Sequence, residues 1–176
     1  RLLFWSDWNR VGPKIEVSGL DGSGRRTLVD VNIQLPNSLV VDYETDTLCW
    51  ADAGTHRIEC IGLQGSGRRV VMDGAQYPFG LTSLRQEFFY TDWNDTKIHT
   101  VNKYTGVETV SRDPPLGGSG KLYGIAAVPD ACPAVSNVCA VQRGNCPSSH
   151  ICLPNGRGGR TCACPQDKED CTDINY

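Results

Sequence analysis

Asp7, Asp52 and Asp92, nine cysteines and three histidines are the groups in this 176-residue chain whose types and spacing invite chemistry. Activated carboxylates transfer protons, imidazoles do so near neutral pH, and thiolates either hold zinc or oxidise to disulfides. Each of the three aspartates ends the same kind of phrase: Phe4-Trp5-Ser6-Asp7, Cys49-Trp50-Ala51-Asp52 and Phe89-Tyr90-Thr91-Asp92. A catalytic carboxylate occurs once, in a special setting, whereas a residue that returns with every repeat belongs to the repeat's architecture. His56, His99 and His150 are scattered, with no defensible Ser-His-Asp or Cys-His arrangement around them. Cys49, Cys60 and His56 offer three zinc ligands but lack a fourth and lack a paired short cysteine spacing. The chain is therefore expected to be no enzyme and to need no metal or cofactor.

The elements that position these groups follow from the repeat. Trp5, Trp50 and Tyr90 are 45 and then 40 residues apart, and Gly22-Ser23-Gly24-Arg25-Arg26 returns as Gly65-Ser66-Gly67-Arg68-Arg69. The pairs Lys14-Ile15, Arg57-Ile58 and Lys97-Ile98 follow the successive aspartates. A four-stranded propeller blade takes about 40–45 residues. Within the middle repeat, strands are predicted over 35–42, 47–51, 57–63 and 68–72, separated by Gly- and Asp-containing turns. Residues 1–31 then supply the second to fourth strands of one blade, 35–73 a whole blade, and 77–112 another with a weaker last strand. Leu122-Tyr123-Gly124-Ile125-Ala126 matches Pro78-Phe79-Gly80-Leu81-Thr82 and is predicted to be the first strand of a further blade. That makes about three blades, where closed propellers have about four to eight. The missing half ring is expected upstream; two copies exchanging strands is the other way to close it.

A net charge of −3 and a pI near 5.6 give no reason to expect nucleic acid as a partner. No apolar run is long enough for a membrane span, so no membrane insertion is expected. Seven of the nine cysteines crowd the last quarter, a density that belongs to an oxidising, extracellular compartment. The absence of a signal peptide leads us to expect that Arg1 is not the original N-terminus. Pro129-Asp130-Ala131 marks the expected boundary between propeller repeats (1–130) and a cysteine-rich module (131–176). Cys49 and Cys60 lie on neighbouring predicted strands, close enough for a cross-strand disulfide.

The repeated aromatic-Trp-Thr-Asp phrase resembles the YWTD repeats (low-density-lipoprotein receptor class B), which form six-bladed propellers. Leu48 through Cys60, Tyr90-Thr91-Asp92-Trp93 and Leu122-Tyr123-Gly124-Ile125 look more specifically like the nidogen (entactin) family, in which the last blades are followed by one EGF-like module. The expected fold is thus all-β: part of a six-bladed YWTD propeller, about three blades, followed by a small disulfide-rich EGF-like module. The run Cys139, Cys146, Cys152, Cys162, Cys164 and Cys171 has the EGF-like spacing. Six cysteines permit many connectivities, and it is the resemblance that implies Cys139–Cys152, Cys146–Cys162 and Cys164–Cys171. Cys132 is left unassigned, with a bridge to the missing half ring as one use for it. The stretch 133–138 before Cys139 has no carboxylate, so no calcium site is expected there. Asn155-Gly156-Arg157 could mimic an integrin-binding sequence after deamidation, but Asn-Gly is also the preferred tight-turn pair, and a turn is the reading we adopt.

The resemblance further implies that Trp5, Trp50 and Tyr90 fill the space between blades, while Asp7, Asp52 and Asp92 bond the backbone of adjoining turns. It implies a secreted basement-membrane protein of cell adhesion, binding an EGF-like module of a laminin γ chain on a propeller face, with other basement-membrane proteins as further partners. The face would be made by loops 8–14, 52–57 and 92–97 and the inter-blade loops 30–37, 74–79 and 117–123. Its candidate contact residues are Arg10, His56, Arg57, Tyr77, Trp93 and Tyr123, types that include the aromatic and arginine side chains enriched at interface hot spots. Asn94-Asp95-Thr96 is an N-glycosylation acceptor in the same loops. A receptor ectodomain with YWTD repeats is the alternative function.

Overall fold

A computed structural model of the chain describes residues 2–114, 120–131, 136–166 and 171–176. Three antiparallel sheets follow one another in chain order. The first holds β1 (Leu2–Asp7), β2 (Lys14–Gly19) and β3 (Arg26–Val29). Next come β4 (Pro36–Asp42), β5 (Thr47–Asp52), β6 (Arg57–Gly62) and β7 (Arg69–Asp73), then β8 (Pro78–Leu84), β9 (Glu87–Asp92), β10 (Ile98–Asn102) and β11 (Glu108–Arg112). Strands lie in each sheet in sequence order, the meander expected of a blade. After a short 3₁₀ turn over Gln142–Asn145, a small sheet is made by β12 (Ile151–Pro154), β13 (Arg160–Ala163) and β14 (Ile174–Asn175).

The burial pattern explains why these sequences are strands. β5 is buried from Leu48 through Asp52, because a central strand of a stacked blade is covered on both faces and need not alternate. β11 is exposed along its whole length, and its Glu108, Thr109, Ser111 and Arg112 suit an outer edge that must not recruit another strand. Between the second and third blades lies a core in which Ala51, Ile58 and the Cys49–Cys60 disulfide pack with Leu81, Phe88 and Tyr90. Cys49 and Cys60 stand directly opposite in the β5–β6 register.

The segment 122–126, predicted to be a strand, forms no ladder. It runs beside β8 and is held by side chains instead: Thr91 Oγ1 donates to the Tyr123 carbonyl, and the Ala127 amide donates to Thr82 Oγ1. A blade's first strand pairs with its second, and no second strand accompanies this one among the described residues. Gly80 permits the approach, since a β-carbon there would lie 2.5 Å from the Tyr123 carbonyl oxygen.

By contacts the chain forms two compact units: residues 1–5, 16–27 and 131–176, and residues 6–15 and 28–130. In the first, disulfides join Cys139 to Cys152, Cys146 to Cys162 and Cys164 to Cys171. Such a small module lacks the apolar volume to hold itself together without bridges. The β2–β3 turn is bonded to this tail. The Leu20 amide donates to the Pro154 carbonyl, and Thr161 Oγ1 donates to Asp21.

In the second unit a buried ion pair ties the two complete blades. The Lys103 ammonium, 1% exposed, lies 2.9 Å from Asp42 of β4 and 3.0 Å from Glu44. Burial raises the Asp42 carboxyl, but hydrogen bonds from Thr45, Lys103 and Ser83 and the lysine's charge outweigh it and hold it below its ordinary value. Removing one partner strands a buried charge, so Lys103→Ala should cost about 3–5 kcal/mol in urea unfolding. A loss below about 1 kcal/mol would show that the pair does not tie the blades.

Candidate partner-binding face

Each second strand ends in an aspartate, and the structure gives these carboxylates a definite task. Asp52 is fully buried; its Oδ1 accepts the amides of Leu35, Gly54 and Thr55, and its Oδ2 accepts that of Gln34. One side chain therefore closes the β5–β6 turn and anchors the loop that enters the blade. Asp92 repeats the arrangement, accepting the amides of Tyr77 from the incoming loop and of Asn94 from the β9–β10 turn. Asp7 is exposed and accepts the Asn9 amide. Carboxylates that gather backbone amides in this way fix loops.

Behind these ends a second device recurs. Glu16 and Glu59, each following the basic-Ile pair, are gripped by two nitrogens of Arg25 and Arg68 respectively. The same guanidiniums lie over the rings of Trp5 and Trp50, at 5.2 and 5.1 Å from the ring centroids. Trp50 is fully buried and stands opposite Glu59 in register. In the third blade the same register position opposite Tyr90 holds His99, and nine residues on from it the acid is Glu108. The charges of the device are thus reversed. Sequence reasoning passed over His99, although its place after Lys97-Ile98, where Glu16 and Glu59 follow their pairs, marks the substitution.

The loops anchored by Asp92 carry an aromatic shelf. Trp93 stacks on Phe79 at 4.2 Å and on Tyr77 at 5.4 Å, with Tyr123 edge-on at 5.4 Å. The Lys121 ammonium sits 4.4 Å from the Trp93 ring centroid, and the indole N–H donates to the Leu122 carbonyl. Tyr77 and Trp93 are half-buried, whereas Tyr123 is 63% exposed. His56 and Arg57 adjoin the shelf through the incoming loop. His56 Nδ1 is 2.7 Å from the Gln76 carbonyl, its own carbonyl accepts the Gly74 amide, and Arg57 pairs with Asp73 at 3.1 Å. His56 holds a left-handed backbone (φ 60°) immediately before β6.

Of the residues singled out from sequence, His56, Arg57, Tyr77, Trp93 and Tyr123 are linked by these contacts. Arg10 lies exposed in the β1–β2 turn and makes no hydrogen bond or ion pair with the described residues. Asn94 is exposed in the β9–β10 turn. Cys132 and part of the loop 117–123 lie outside the described residues. Asn155 forms a turn in which its side-chain oxygen accepts the amides of Arg157 and Gly159. The arrangement as a whole offers aromatic faces, exposed cations and fixed loops, which is the equipment of a binding surface.

Meandering blades closed by strand-end aspartates, with a triple-disulfide tail, make this fold a segment of a YWTD-type β-propeller followed by an EGF-like module. In agreement, the family model of the low-density lipoprotein receptor repeat class B matches residues 1–43. The particular likeness is to the nidogens. The chain is 40% identical over 168 residues to Nidogen of Drosophila melanogaster, covering 94% of this chain and 12% of that protein. It matches one chain of a crystal structure of a nidogen/laminin complex at 42% identity with a TM-score of 0.66, over 71% of this chain and 47% of that one. The vitellogenin receptor of Solenopsis invicta is 34% identical over 169 residues, covering 95% of this chain and 9% of the receptor. The chain thus spans about a tenth of the curated relatives it matches.

The unequal duties of the aspartates make a test. Asp52→Ala abandons four amides around a buried site and should cost about 3 kcal/mol or more, whereas Asp7→Ala should cost under about 1 kcal/mol. Equal losses in denaturant unfolding would contradict the capping role.

Proposed function

We propose that this chain is the laminin-binding segment of a secreted basement-membrane linker of nidogen type, built from propeller repeats (1–130) and an EGF-like module (131–176). The observation that carries this reading is the likeness, at 42% identity over 71% of the chain, to a nidogen solved in complex with laminin. The occupant of the face is an EGF-like module of a laminin γ chain, and the same linker joins it to other basement-membrane proteins. The nidogen resemblance implies an acidic, amide-bearing loop on the laminin side. Cations at Arg10, Arg57 and Lys121 complement such a loop, while Tyr77, Trp93 and Tyr123 supply flat surface for its apolar part and His56 a polar rim. Burying a rigid aromatic shelf costs little side-chain entropy, which is why such residues dominate interface energies. Asn94, exposed in the β9–β10 turn, is an acceptor whose glycan would stand beside the docked partner. The function is one of adhesion, not catalysis.

The likeness to a vitellogenin receptor supports a second reading, the ectodomain of an endocytic or signalling receptor. Surface plasmon resonance against a laminin γ-chain EGF-like module separates the two. The linker reading expects saturable binding that Trp93→Ala or Tyr123→Ala weakens by about tenfold or more. A folded chain, with the rest of its ring restored, that does not bind laminin would favour the receptor. Unchanged affinity on replacing Arg10 and Arg57 together would remove the arginines from the contact.

A further inference from the structure

Among the described residues, His99 is the one place where the recurring acid–arginine device is built from a group that changes charge near neutral pH. Its ring lies on Tyr90, with centroids 4.8 Å apart and planes 14° apart, and is largely buried. Both nitrogens face carboxylates: Nδ1 is 2.9 Å from Glu108 of β11, and Nε2 is 3.1 Å from Asp95 in the β9–β10 loop. Tyr90 from β9 is the other ionisable group packed against it, with Asp92 acting electrostatically on that tyrosine.

Two ring nitrogens can donate to two carboxylates only in the imidazolium form, because a neutral imidazole keeps a single N–H. The Glu16–Arg25 and Glu59–Arg68 pairs have no such dependence, since arginine stays charged. The loop reached by Nε2 holds Trp93, the centre of the aromatic shelf, and Asn94. We propose that protonated His99 is a positioning residue for the partner-binding face, tethering the β9–β10 loop to β10 through Asp95 beside the Asp92 anchor, and that loss of the proton removes that tether. The claim rests on the proposed face for its functional half and on local geometry for its structural half. On deprotonation the closer Nδ1–Glu108 bond is kept and Asp95 faces an acceptor.

The direction of the pH effect is set by the neighbours. Burial alone lowers the imidazole, but hydrogen bonds and charge from Glu108 and Asp95 outweigh it and raise it above its ordinary 6.5. A raised folded-state pKa means that the stabilisation is complete below the unfolded value and is lost as pH rises through the folded one.

The test is an NMR titration of the full chain, following the His99 ring and, by intrinsic-rate-corrected hydrogen exchange, the amides of Asn94 and Lys97, which donate to Asp92 and Asp95. The His99 midpoint should lie above 6.5, and protection of those amides should fall severalfold through it. His99→Gln should leave loop protection flat with pH, with β4–β7 exchange unchanged as a check on folding. A loop whose exchange ignores the His99 midpoint, or follows the same profile in His99→Gln, overturns the proposal. In parallel, laminin-module affinity should weaken severalfold over the same pH interval in the wild type and not in the variant; pH-independent affinity overturns the positioning role. Complete absence of laminin binding would sink the functional reading, and loop exchange alone would then decide whether His99 fixes the loop.

Discussion

The loops 52–57, 74–79 and 92–97 of the candidate face depend on two carboxylates buried at the ends of second strands, Asp52 and Asp92. A propeller loop has several amides turned inward and no strand partner to satisfy them, and unpaired buried amides are costly. Asp52 resolves this for Gln34, Leu35, Gly54 and Thr55, and Asp92 for Tyr77 and Asn94. Because each carboxylate binds both its own turn and the incoming loop, two surface segments are held in one geometry. The shelf of Tyr77 and Trp93 is a direct outcome: Asp92 accepts the Tyr77 and Asn94 amides, and the Trp93 amide between them donates to the Tyr77 carbonyl.

The same economy governs the spaces between blades. Large rings of the second strand need covering on both sides, and the Arg–Glu pairs place a flat, charged group over Trp5 and Trp50 while satisfying the acid beside them. Blade three uses an imidazole stacked on Tyr90 in the same register position, with the acid on the neighbouring strand. Shape is kept while charge is inverted. The buried Lys103 reaching Asp42 and Glu44 belongs to the same blade pair and has no counterpart in the repeat phrases.

Sheets and their order were legible in the sequence because the repeat constrains them. An Asp at each return and Gly-Ser-Gly turns at blade spacing leave little choice of register. Residues 122–126 were not legible as what they are, since matching the first-strand phrase does not supply the second strand that makes a ladder. Side-chain pairing was the least visible level. His99 reads as a lone histidine unless aligned with Glu16 and Glu59, and its reach to Glu108 depends on neighbouring strands rather than on sequence distance. Among face residues, the sequence marks Arg57 as a candidate contact without its Asp73 partner, and Lys121 over Trp93 went unnoticed.

The central claim is that the loops fastened by Asp92, with their aromatic shelf, are where the partner lies. Hydrogen exchange of the chain with its ring completed, alone and with a laminin γ-chain EGF-like module, tests it most directly. The account predicts new protection concentrated in residues 74–79, 92–97 and 120–124, with the EGF-like tail unchanged. Protection confined to the tail, or spread over the outer strands β7 and β11, would contradict it.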